Sequence, residues 1–270
     1  MPRMLLMGPK KCGKTSIFKV VFDNMSPHET QRLEPTVKSV QYLVQHSNLF
    51  RFQIWDLAST LEHVDSSFLQ TISSLVFVMD VQDNVAAPSA MDMLVNAACK
   101  LLRINPRVFI DVLLHKVDCL AEGQRLELLT DVTQKVKARL EERNILDTSP
   151  NVFLSSIYDH SIYDCLSKVV QKLTPGLYSL ESVLDALVTN CRMDKAFLFD
   201  VRSKICVASD TQPVDVQWVE LMSDMIEVVS DLASTYEDDS VEEGEEAGAA
   251  SQALAAAAAA ARGGGCGSSS

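Results

Sequence analysis

Gly8-Pro9-Lys10-Lys11-Cys12-Gly13-Lys14-Thr15 sets two glycines, a lysine and a hydroxyl at the spacing G-x-x-x-x-G-K-[ST]. The chemistry this spacing supports is the holding of phosphates. Glycines let main-chain N–H groups approach an anionic oxygen closely, a lysine brings a movable positive charge to the outer phosphates, and a threonine hydroxyl can ligate Mg²⁺. The flanks agree with that reading. Residues 4–7 are a solid apolar run suited to a buried strand, and 16–22 carry apolar residues at helical spacing, so the loop falls at a helix N-terminus. The expected phosphate contacts are Gly8, Lys11, Cys12, Gly13, Lys14, Thr15 and Ser16. Of the four glycines before residue 237, two stand in this loop, a concentration that a plain turn would not explain.

A phosphate loop alone holds no particular nucleotide, and further residues farther along could complete the site. Asp56 directly follows the apolar run 52–55 and is placed to hold the magnesium shell together with Thr15. Thr36, ahead of the next strand-like run, is the candidate that senses a third phosphate through the same metal. His115-Lys116-Val117-Asp118 follows the apolar run 108–114. There the Asp118 carboxylate can accept from both N1–H and the exocyclic amine of guanine, which adenine cannot satisfy, while the Lys116 stem packs on the base. His115 can donate a hydrogen bond that ties this loop together. Ser155-Ser156-Ile157, after the run 152–154, occupies the place of a loop that closes over the base. Each of these has a plainer reading as a solvated strand end or surface loop. Their order after the phosphate loop favours a guanine nucleotide, GTP or GDP, with Mg²⁺.

The elements that must position these residues are legible as periodicity. Apolar, β-branched runs at 4–7, 37–44, 50–55, 75–79, 108–114 and 152–154 alternate mostly with helical patterns at 89–102, 126–140 and 162–173. Alternation of this kind predicts an α/β fold with a mostly parallel sheet covered on both faces. The four residues 45–48 are too few for a crossover and predict one antiparallel hairpin. Residues 1–174 form the expected nucleotide domain. After Pro175-Gly176 the pattern becomes helix (180–189), two strands (196–201 and 205–208) and helix (216–234), a second α+β piece over 175–236 that is small for an independent core and so is expected to dock on something else. The strand edge at 205–208 is expected to need cover from another chain. Residues 237–270, acidic and then rich in alanine and glycine, are expected to be a disordered tail.

The chain of 270 residues has a formal charge of −12, half of it in the segment from Glu237 onward, and no basic stripe that would release counterions from nucleic acid. Seven cysteines without C-x-x-C pairs fit a reducing compartment. Outside the alanine tract no run of 18 apolar residues occurs, and neither an N-terminal Met-Gly nor a C-terminal prenylation box is present, so no direct membrane insertion is expected.

Read together, several stretches resemble the Rag GTPases, and within them the RagC/RagD type. They are Leu5-Leu6-Met7-Gly8 into the loop, Lys19-Val20-Val21-Phe22 with Met25-Ser26-Pro27, Phe52-Gln53-Ile54-Trp55-Asp56, His115-Lys116-Val117-Asp118, the run 155–162, Phe197-Leu198-Phe199-Asp200-Val201 and Pro213-Val214-Asp215. His115 in place of Asn is a feature of that family. The resemblance implies a Ras-like GTPase domain followed by a roadblock-type domain, and a heterodimer with a RagA/RagB-like partner. It further implies amino-acid signalling to the target-of-rapamycin kinase complex through a scaffold at the lysosome or vacuole surface, with the cytoplasm as the resident compartment and the nucleus as a second one.

Two departures shape the expectation. In Asp56-Leu57-Ala58-Ser59-Thr60, Ser59 stands where a glycine usually offers its N–H to the γ-phosphate, and Thr60 where the family has glutamine. Slow or impaired hydrolysis follows, because a water-orienting amide is missing. A full roadblock-type domain would also continue with more strands and a closing helix, whereas acid and alanine follow Tyr236, so a partial domain is expected. A pseudo-GTPase scaffold that acts without turnover is the alternative. An ATP-dependent P-loop enzyme is disfavoured by Asp118 and by the lack of a lid-like arginine cluster.

Overall fold

Alternation along the apolar runs decides which way each strand faces. In β1 (Arg3–Met7), Leu5 and Met7 enter one hydrophobic core and Met4 and Leu6 the other, so both faces of the sheet are covered. The computed structural model describes residues 1–34, 39–47, 50–57, 61, 64–82, 88–145 and 150–237. Six strands lie in the order β2 (Val40–Gln45), β3 (Arg51–Asp56), β1, β4 (Ser74–Asp80), β5 (Phe109–His115) and β6 (Asn151–Ser155). All neighbours are parallel except β2 and β3, which form the expected hairpin in register from Val40↔Asp56 to Gln45↔Arg51. Central β4 is buried along its whole length, as a strand with helices on both sides must be.

Helices α1 (Lys14–Phe22) and α5 (Ser161–Leu173) cover the Met4/Leu6 face, with Ile17, Phe18 and Val21 meeting Leu166, Val169 and Val170 around the sheet. The opposite face is closed by the four-residue α2 (Ser66–Leu69), by α3 (Pro88–Ile104), which contributes Leu94, Ala98 and Leu101, and by α4 (Glu122–Glu141), which contributes Val132, Val136 and Leu140. Each such fully buried Leu or Val side chain stabilises the fold by about 1.5–3 kcal/mol relative to exposure. Helix α4 starts before its apolar pattern because the Gln124 side chain reaches back to the Ala121 N–H at 3.3 Å, so the first turn can be polar.

The remaining elements are α6 (Leu177–Cys191), the antiparallel pair β7 (Phe197–Asp200) and β8 (Ile205–Ser209), and α7 (Val216–Glu237). Here one expectation is corrected. The β8 edge does not wait for another chain at its centre, because α5 lies against it. Ile205 and Val207 join the α1/α5 core, the Cys206 N–H donates to Ser167 Oγ at 2.9 Å, and Gln171 Nε2 donates to the Cys206 carbonyl at 3.0 Å. Two polar residues one helical turn apart thus satisfy both backbone groups of one strand residue. A second tie joins His46 Nδ1, at the hairpin tip, to Asp200 Oδ2 at 2.6 Å. The second piece docks, and what it docks on is the first. The tail expected from 237 onward lies outside the described residues except for Glu237 itself.

Candidate nucleotide-binding site

After β1 the chain builds β2 and β3 on one side of it, and from β4 onward it builds on the other side, so a crevice opens beyond the carboxyl ends of β1 and β4, the usual place for a ligand in an open α/β sheet. The loop 8–13 lies there. Gly8 has φ +147, and a Cβ at that residue would come within 2.1 Å of the Val78 carbonyl oxygen; Gly13 has φ +98, and its Cβ would meet the His115 ring at 2.7 Å. Only glycine fits either position. Between them Lys11 adopts left-handed backbone geometry, and α1 begins at Lys14 with its first N–H groups facing the crevice.

Lys14 is folded over its own loop. Its ammonium donates to the carbonyls of Gly8 at 3.0 Å and Pro9 at 2.8 Å, and it is only 8% exposed. Those carbonyls occupy the role that phosphate oxygens could take over. Beneath it the Cys12 thiol is fully buried, and burial pushes its pKa up against the pull of Lys14, so it stays neutral and unreactive. Thr15 Oγ1 donates to Asp56 Oδ2 at 2.7 Å. The other Asp56 oxygen is buried without a hydrogen-bond partner, and desolvation pushes this carboxyl up despite the Thr15 hydroxyl and the Lys14 charge. A buried carboxylate in that condition fits a divalent cation, whose charge would supply what burial removes.

The residues expected to read the base stand on the far side of the same cavity, whose volume is about 640 Å³. Lys11, Gly13, Lys14, Thr15 and Ser16 line one wall, and His115, Lys116, Asp118 and Ile157 line the other. Ser155 and Ser156 are fully buried behind that wall and brace it. Ser155 Oγ lies 3.0 Å from His115 Nδ1, and Ser156 Oγ donates to Asp118 Oδ1 at 2.7 Å. His115 is fully enclosed, its Nε2 has no partner, and desolvation, with help from the Lys116 charge, lowers its pKa to about 4. It is therefore a neutral ring at ordinary pH, wedged between Gly13 and Ser155 so that the phosphate loop and the base loop keep a fixed separation.

One residue that sequence reading missed is Asp80, at the end of β4. It is buried, Oδ2 pairs with the Lys116 ammonium, and Oδ1 accepts from the Gln82 N–H at 2.9 Å. Lys116 also donates to the Lys11 carbonyl at 3.2 Å, while its backbone is left-handed at φ 66°. The lysine is thus stretched across the crevice as a strut, with its backbone strained to allow it. The apolar run before Asp80 was the available signal, since it matches the pattern before Asp56. Thr36, Ser59 and Thr60, the expected switch residues, lie outside the described residues. Among the described residues no cluster of three or more His, Cys, Asp or Glu could hold a metal alone, and no helix is long and apolar enough to cross a membrane.

Fold and site together define the class, a P-loop G protein of Ras-like architecture. Residues 3–226 match the family described as the Gtr1/RagA G protein conserved region. Ras-related GTP-binding protein C of Homo sapiens is 40% identical over 240 residues, 87% of this chain and 60% of that protein. Ras-related GTP-binding protein D of Mus musculus is 41% identical over 241 residues (87% and 53%), and GTP-binding protein GTR2 of Saccharomyces cerevisiae 40% over 239 (86% and 69%). This chain belongs to the Gtr1/RagA family of Rag GTPases and is of the RagC/RagD type. It spans 60% of the length of the human relative and 53% of the mouse one.

Proposed function

We propose that this chain is a guanine-nucleotide-binding switch of the Rag type with slow or impaired GTP hydrolysis. It works as one subunit of a heterodimer with a RagA/RagB-like GTPase, in amino-acid signalling to the target-of-rapamycin kinase complex through a scaffold at the lysosome or vacuole surface. The observation that carries the reading is the facing of Lys14 and Thr15 against His115, Lys116 and Asp118 across one cavity, with Asp56 bonded to Thr15 behind. Lys14 leaves its loop carbonyls to neutralise phosphate oxygens, the α1 N–H groups hold the anion, and Asp118, fixed by Ser156, selects guanine. Thr15 and Asp56 would hold Mg²⁺, which would supply positive charge to the outer phosphates. Weak turnover rests on Ser59 and Thr60. Residues 175–236 are read as a partial roadblock-type dimerisation unit, and the family's more distant relatives include Ras-related GTP-binding protein B of Rattus norvegicus, 25% identical over 248 residues.

The alternative is a pseudo-GTPase scaffold without turnover, which Ser59 and Thr60 favour. Fluorescent GDP, GTP and ATP analogues decide between these readings when combined with phosphate release and with partner affinity in each nucleotide state. The proposal expects guanine preference, little phosphate release and a partner affinity that differs between GDP and GTP. Equal affinity in both states supports the scaffold, and ATP preference overturns both.

A further inference from the structure

Besides its floor, the cavity has a mouth, and among the described residues a side-chain hydrogen bond crosses it. Gln31, in the 3-10 turn Glu29–Arg32, donates from Nε2 to the Tyr158 hydroxyl at 3.0 Å, and the His28 and Tyr158 rings lie 5.5 Å apart between centroids. Gln31 and Tyr158 line the same cavity as Lys14 and Asp118. Both piers of this bridge are anchored. On one side Thr30 is buried, its hydroxyl donating to the Pro27 carbonyl at 2.7 Å and its own carbonyl accepting from the Leu33 N–H at 3.1 Å. On the other the Tyr158 N–H donates to Ser156 Oγ at 3.2 Å, the same hydroxyl that fixes Asp118.

We propose that Gln31 and Tyr158 form a clasp over the nucleotide cavity that slows the release of a bound guanine nucleotide. The inference rests on the function proposed above and adds to it the residues that govern exchange. The turn after α1 and the base-reading loop are far apart in sequence, and this side-chain bond joins them across the opening. A nucleotide held by Lys14 at one end and Asp118 at the other leaves outward, past the bond. Opening the clasp also frees Tyr158, whose N–H shares Ser156 with Asp118, so the base contact loosens as the mouth opens. Gln31 and Tyr158 are positioning residues in this scheme: each acts by holding the other.

The test uses the full chain loaded with a fluorescent N-methylanthraniloyl GDP in Mg²⁺ and chased with excess GDP. Tyr158→Phe, which removes only the hydroxyl, and Gln31→Ala, at an exposed position, should each release the probe about 3–10-fold faster, the size of one neutral hydrogen bond. The double variant should release no more than about twofold faster than the quicker single one, because both remove the same bond. Thermal unfolding midpoints of the nucleotide-free variants should match the parent. Release at the parental rate in Tyr158→Phe overturns the clasp, and so does acceleration by Tyr158→Phe without any by Gln31→Ala, which would mean the hydroxyl acts on the nucleotide itself. A parent chain that takes up no guanine nucleotide overturns the proposed function and the clasp with it. A parent that binds while its variants release unchanged overturns the clasp alone.

Discussion

Two ends of this molecule bury polar groups, and they do it differently. At the carboxyl edge of the six-stranded sheet, Lys14, Asp56, Asp80, His115, Ser155 and Ser156 are all buried, and two of them keep an atom without a partner: Asp56 Oδ1 and His115 Nε2. In the β7–β8 unit Asp210 is buried as deeply, yet it is fully engaged. It accepts from Lys195 Nζ at 3.1 Å, the Ala196 N–H at 3.2 Å and the Gln212 N–H at 3.4 Å, and its own N–H donates to the Ala196 carbonyl. Unmet polar atoms cost stability; Ser74 Oγ and Asp111 Oδ2, near the amino ends of β4 and β5, also lack partners, but of these four only Asp56 and His115 stand beside the cavity, where a ligand can meet them. Asp210 has nothing left to offer a ligand and closes a turn. Asp56 still has one oxygen to offer a cation.

The largest effect is expected at Lys14→Ala, which should weaken GTP binding about 10–100-fold, the scale of a charged hydrogen bond, with an unfolding midpoint close to the parent; equal loss of both by titration and thermal melt would make Lys14 structural. Asp118→Asn should cost guanine affinity on a similar scale and relax base selectivity, read by competition between GDP and nucleotides of other bases. Asp210→Ala should do the reverse, destabilising the fold by about 1–3 kcal/mol in denaturant unfolding while leaving nucleotide affinity unchanged, since three donors lose their acceptor far from the cavity.

Acid provides a subtler test. His115 is held neutral by burial with a pKa of about 4, below the ordinary histidine value of 6.5. The unfolded chain therefore binds the extra proton between those values. Stability that is fully present above pH 6.5 is lost as pH falls toward 4, by about 2 kcal/mol at pH 5. His115→Asn should flatten that part of the stability–pH curve, and an unchanged slope would place the titrating group elsewhere. The smallest effect is expected for Asp80→Asn, which keeps the shape beside Lys116 and removes the charge. A few-fold faster GDP release, measured by a fluorescence chase, is about what one weakened ion pair at a partly exposed lysine gives.

What could be read from the sequence follows the same division. The phosphate loop was legible because its eight residues are contiguous and its two glycines are demanded by the Val78 carbonyl and the His115 ring. The place of Asp118 at the cavity wall was legible because it follows a strand in a short motif. Asp80 was hidden: an acid at a strand end is ordinary, and its partner Lys116 arrives 36 residues later through a left-handed backbone that no pattern announces. Ser167 and Gln171 look like the wet face of an amphipathic helix, and only the packing of β8 against α5 turns them into caps for Cys206. The turn at 29–32 and α2 are too short for periodicity to register. Strand order needed the right-handed crossover rule as well as the pattern, since periodicity gives faces but not neighbours.

The measurement that bears most directly on the central claim is isothermal titration of the folded full chain, in Mg²⁺, with GDP, GTP and ATP in parallel. Single-site binding of both guanine nucleotides, with ATP giving no comparable heat, is the predicted result. Absence of any heat from GDP and GTP on protein whose thermal melt shows a cooperative fold would contradict it.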